Sequence, residues 1–152
     1  MCSSDLSDIY LRGMTDPAVP PRFTVAPSLD DLEEIARAAF DGLPLEFRAL
    51  TNGVVFRIDD FPDAETEREM GLQSPFDLLG LYQGVAINER SVMDPGGGVD
   101  MVFLYRRPIL DYWCEYEEDL AHLVRHVLIH EIGHHFGLSD IDMHVLEDMV
   151  AP

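Results

Sequence analysis

The feature that most constrains this chain is a helical run near its C-terminus. Leu120, Leu123, Val124, Val127 and Leu128 recur at helical spacing. The pattern starts around Glu115, where Glu115, Glu117, Glu118 and Asp119 suit the positive end of a helix dipole. It predicts a helix to about Phe136, stopped by Gly137 as a natural C′ residue. All six histidines, at positions 122, 126, 130, 134, 135 and 144, fall on or after this run. Two of them flank a glutamate in the string HEIGHHFGLSD, His130 to Asp140.

Four residues apart on a helix, His130 and His134 differ by about 40° in azimuth and roughly 6 Å along the axis. Both imidazoles can therefore meet one ion. Glu131 lies about 100° from His130, beside such an ion and placed to take a proton from a metal-bound water. A third protein ligand is needed. Gly137 lets the helix end and the chain turn back, and Asp140 can then return to the ion. Zinc suits His and carboxylate ligands with one position open, and it lowers the pKa of bound water.

The full string reads H-E-x-x-H-x-x-G-x-x-D. It resembles the Asp-zincin metallopeptidases and, more closely, a small bacterial minimal-zincin metallopeptidase family. LLGLYQGVAINERSV (Leu78 to Val92), FLYRRPIL (Phe103 to Leu110) and the acidic run into HEIGHHFGLSD carry the likeness, which spans roughly residues 29 to 150. The resemblance implies an α+β minimal-zincin domain: a small mixed sheet packed on a long active-site helix, with N- and C-terminal helices. It implies one Zn2+ per chain held by His130, His134 and Asp140, with Glu131 as catalytic base and a peptide or protein as substrate. In zincins an edge strand beside the helix binds extended peptide, and Met101 to Tyr105 is the strand expected to do so.

Each residue also has a plainer reading. His130, Glu131 and His134 could be a polar helix face. Asp140 could be a dipole-complementing acid in the first turn of the last helix, with Asp142, His144 and Glu147 as replacement ligands. His122 is expected at the surface, His126 in a core, surface or supporting role, and His135 bonded to backbone or solvent. Tyr105, Tyr112, Arg106 and Arg107 are candidate donors to an oxyanion, each with a structural alternative.

The rest of the chain reads as one domain, residues 28 to 152, after an irregular leader, 1 to 27, with a possible strand at Arg22 to Val25. Prolines 17, 20, 21 and 27 leave the leader little room for helix. Ser28 with Asp31 forms a capping-box pattern ahead of Leu32, Ile35, Ala36, Ala39 and Phe40; Gly42 and Pro44 end that helix. Strands are expected at Val54 to Ile58, Gly84 to Ile87 and Met101 to Tyr105, the last ended by Arg106, Arg107 and Pro108. A short helix is expected around Glu65 to Met70. Pro75 to Leu81 reads as a connector with a helical turn, and Asp94 to Gly98 as a loop. Ser139 with Asp142 should cap a final helix through Met149.

The formal net charge is −19, and all ten basic residues are arginine. Such a chain repels nucleic-acid phosphates and anionic membranes, so neither is an expected partner. Cys2 and Cys114 form no CxxC pair, and no secretory signal or membrane span is legible, so a cytoplasmic location is expected. Oligomeric state is left open. Two rival functions follow. One is a non-catalytic zincin-like module for peptide binding or regulation. The other is a metal-dependent endoribonuclease, because His130, His134 and Asp140 have the spacing of His-x3-His-x5-His in a family of small bacterial enzymes; the glutamate after the first histidine and the acidic charge speak against it.

Overall fold

The computed structural model describes residues 25–84 and 99–150; the side chains of Leu50, Asp140, Leu146, Glu147, Met149 and Val150 lie outside that description. The leader to residue 24, the expected strand beyond Gly84 and the loop at 94–98 are likewise outside it. Helices α1 (Leu29–Asp41) and α2 (Leu45–Leu50) come first, then β1 (Val55–Asp59) and α3 (Ala64–Met70). A 3-10 turn (Pro75–Asp77) leads into β2 (Gly80–Gln83), followed by β3 (Met101–Tyr105), α4 (Arg106–Tyr116), α5 (Leu120–Phe136) and α6 (Asp140–Val150). The expected α+β architecture is present: a three-stranded mixed sheet, order β1-β3-β2, packed with helices.

The helix termini follow their local chemistry. Ser28 and Asp31 form the reciprocal capping box that starts α1, the Ser28 hydroxyl accepting from the Asp31 N–H at 3.1 Å. Asp119 caps α5 by accepting from the His122 N–H at 2.9 Å. Gly137 ends it at φ 66°, a left-handed conformation that glycine adopts without a Cβ penalty. Ser139 and Asp142 then cap α6 at once.

Helix α5 is the hub. It packs against α1, β2, β3, α4 and α6, and ten of its 17 residues are buried. A helix covered from several sides cannot show one narrow apolar stripe, so Ile129 and Ile132 join the expected stripe in the core. Leu32 and Ala36 of α1 and Val102 and Leu104 of β3 belong to the same cluster. Gly133 serves the contact with α6. A Cβ there would lie 2.8 Å from two carbons of Met143, which is almost fully buried.

Three expectations need correction. Arg106, Arg107 and Pro108 end β3 but also open α4, which the sequence does not announce; Glu115 therefore belongs to α4, and α5 starts only at Leu120, after Asp119, while proline in a first helical turn costs no hydrogen bond. The end of the expected connector, which does carry its helical turn at Pro75–Asp77, belongs to β2, because Leu81 and Gln83 pair with β3. Finally, Met101–Tyr105 is not an edge strand. It is the middle of the sheet, parallel to β1 and antiparallel to β2, so both of its sides are taken. Among the described residues no helix is long and apolar enough to cross a membrane.

Gly133→Ala should lower stability by about 1–2 kcal/mol. Overpacking against Met143 costs about 1–3 kcal/mol, and helix propensity returns at most ~1 kcal/mol. Urea unfolding of the purified protein measures it, and a more stable variant would show that α6 yields freely at this contact.

Candidate active site

The site lies where α5 meets β2. The Tyr105 N–H donates to the Leu79 carbonyl at 2.9 Å. The alternation of an antiparallel ladder then turns the polar groups of Leu81 and Gln83 towards β3 and those of Gly80 and Tyr82 away from it. Thus β2 is the edge strand beside the helix, and Gly80 is its closest point. A Cβ on Gly80 would fall 2.7 Å from Val127 Cγ1 and 3.1 Å from Glu131 Cγ. Glycine lets the strand approach α5 without prising the two apart.

Glu131 is held in this contact, with 8% of its surface exposed. The Tyr82 backbone N–H donates to its carboxylate, but burial dominates and raises the carboxyl from an ordinary 4.5 to about 7. Two clefts meet at the same residue. One, of about 470 Å3, runs past Tyr112, His122, His126 and His130; the other runs past Met70, Leu81, His134 and Leu138. Leu78, Gly80 and Glu131 line both.

His130 is half-buried and His134 exposed, their rings nearly perpendicular with centroids 5.1 Å apart. With zinc–nitrogen bonds of about 2.0–2.1 Å, two imidazoles at a tetrahedral angle put their centroids roughly 5 Å apart. This pair could therefore hold one metal ion. His126 and His130 are 6.4 Å apart and nearly parallel, a stacking arrangement. Among the described residues no group of three or more His, Cys, Asp or Glu side chains is arranged to hold a metal. Asp140 is the first residue of α6. Its side chain, on which the choice between ligand and dipole partner turns, lies outside the described residues. Asp142 accepts from the Ser139 hydroxyl at 2.7 Å and is committed to the cap.

Residues 51–150 match the family model for zincin-like metallopeptidases. The chain belongs to the zincin-like metallopeptidase family. No curated protein matches it. The match begins at Thr51, so α1 and α2 precede the zincin segment, whereas β1, the edge strand and the whole of α5 fall within it.

The remaining candidates separate cleanly in this zincin. Tyr105 is buried, hydrogen-bonded to Thr66 and pushed up to about 12, first by burial and then by Asp63 and Asp59. Arg106 bonds the Pro27 carbonyl at 2.5 Å and Asp60 at 3.0 Å. Arg107 lies over the Phe61 ring. All three are structural; of the four donors considered, Tyr112 is the one on the clefts. His122 is exposed and His126 lines the first cleft with it. His135 departs from expectation. It is 3% exposed and bonded to the Tyr82 hydroxyl, a side chain 53 positions away. Its spacing from Glu131, four residues on one helix face, is the signal that could have placed it against β2.

The Glu131 carboxyl makes stability depend on pH in the metal-free protein. Its folded pKa is raised, so the stabilisation is complete below about 4.5 and is lost as pH rises through about 7. At ~1.36 kcal/mol per unit the loss is about 3 kcal/mol. Urea unfolding at pH 5 and pH 8 should show this difference in the wild type and lose it in Glu131→Gln. Equal slopes for the two proteins would mean that Glu131 ionises at no cost.

Proposed function

We propose that this zincin-like chain is a zinc-dependent peptidase, with His130, His134 and Asp140 holding one ion and Glu131 acting as its base. The observation that carries the reading is Glu131 itself: a buried carboxyl poised near neutrality, at the junction of two clefts, beside a histidine pair of suitable geometry. Zinc bound there supplies Lewis acidity that brings the pKa of a water towards neutrality.

The chain's own groups account for the remaining chemistry. An extended peptide lies along β2, whose Gly80 backbone groups and Tyr82 carbonyl face away from the ladder, and so adds a strand at the cleft. Glu131 accepts a proton from the attacking water and returns it to the departing amine. A pKa near the working pH suits both transfers. The Tyr112 hydroxyl is the candidate donor to the carbonyl oxygen as negative charge develops on it.

The first experiment is metal analysis by mass spectrometry on protein purified without a histidine tag, followed by digestion of a mixed peptide library. The wild type should carry about one zinc per chain, in line with a single structural or catalytic site. His134→Ala and Asp140→Ala should lose it. Glu131→Gln should keep the zinc and lose hydrolysis by about 10²–10⁴-fold. Full hydrolysis by Glu131→Gln would sink the mechanism, and zinc retained in Asp140→Ala would move the third ligand elsewhere. Peptide binding without turnover in a zinc-loaded wild type would favour the binding module.

A further inference from the structure

Tyr82 touches α5 twice. Its backbone N–H donates to the Glu131 carboxylate, and its hydroxyl lies 3.1 Å from His135 Nδ1. Glu131 and His135 are four residues apart, so they stand one above the other on the helix face turned to β2. One tyrosine therefore spans a full helical turn, its main chain on the upper residue and its side-chain tip on the lower.

The tip is held from a third side. The Tyr82 hydroxyl donates to Asp100 Oδ1 at 3.1 Å, and the other Asp100 oxygen lies 3.8 Å from His135 Nδ1. A phenol has one proton to give, and a carboxylate can only accept. With that proton on Asp100, the hydrogen-bond inventory assigns a proton to His135 Nδ1, which donates to the phenol oxygen. The rings of Tyr82 and His135 meet edge to face, with centroids 5.6 Å apart. Space has been cleared for the cluster. A Cβ on Gly84 would run into the Asp100 carboxylate and stand 2.7 Å from the Tyr82 hydroxyl.

A buried polar cluster of this kind is not the cheapest way to fill space, because apolar residues of similar volume do so without desolvating polar groups. What polar contacts add is direction. The three groups come from β2, from the residue before β3 and from the last turn of α5. Together they fix the edge strand in register with the helix. The bond they protect is the one from Tyr82 N–H to Glu131.

We propose that Tyr82 is a positioning residue: its hydroxyl, gripped by Asp100 and His135, locks β2 to α5 so that its backbone N–H holds one oxygen of Glu131 and leaves the other facing the cleft. The assignment rests on Glu131 being the base, but the lock itself can be tested in the metal-free protein. Amide exchange followed by NMR is the direct measurement. The Tyr82 amide points away from its ladder, yet it should be protected in the wild type. In Tyr82→Phe its exchange should quicken roughly five- to tenfold, the effect of losing one hydrogen bond, while Val102 and Leu104 in the middle strand stay unchanged. Asp100→Asn, which preserves shape and weakens the acceptor, should move the same amide in the same direction. On a cleaved peptide, zinc-loaded Tyr82→Phe should lose kcat with KM unchanged.

An unaltered Tyr82 amide in both variants would overturn the lock. So would an equal rise at Val102 and Leu104, which would mean general loosening, and so would a loss confined to KM. If the wild type cleaves no peptide, the peptidase reading falls alone, and the exchange data still judge the lock.

Discussion

Everything at this site depends on how closely one strand can approach one helix. Gly80 removes the side chain that would hold β2 away from Val127 and Glu131. The resulting contact buries a carboxyl group, and burial is what raises its pKa. The same contact divides the surface into two clefts that share Glu131. Packing and acid–base chemistry are therefore one phenomenon here. A looser contact would admit water, lower the carboxyl's pKa and join the clefts into an open slope.

Much of this was legible from the sequence where local rules decide the structure. The C-terminal end of α5, with the glycine that stops it, and the capping boxes of α1 and α6 follow from side chains acting on backbone a few residues away. The histidine pair was legible for the same reason, since i and i+4 on a helix are neighbours whatever the fold. What escaped needs the third dimension. Helix α4 begins with two arginines and a proline, a string that reads as a break until its burial shows that Ile109 and Leu110 belong to the core. Strand β2 has four residues and opens with glycine, so only pairing with β3 defines it. The order of strands, and with it which one forms an edge, is a property of the sheet and of no single strand.

The surroundings of the histidines show the same division. The sequence treated His130, His134 and His135 by their spacing alone. The structure leaves His134 exposed and buries His135 against a tyrosine from β2 and the aspartate just before β3. Adjacent residues on one helix thus serve opposite ends, one facing the cleft and the other fastening the sheet. The −19 charge as a whole bears on neither; the acids that matter are Glu131 and Asp100, whose side chains are among those kept from water.

Helix α1 carries a consequence of its own. It precedes the segment shared with the family, yet Leu32 is fully buried in the common core and the helix packs along α5. In this protein the shared segment thus completes its core with a helix that lies outside it. Begun at Thr51, the chain would leave an apolar side of its central helix bare, and such a surface invites self-association. The boundary of the family match and the boundary of the packed core fall in different places, about two helices apart.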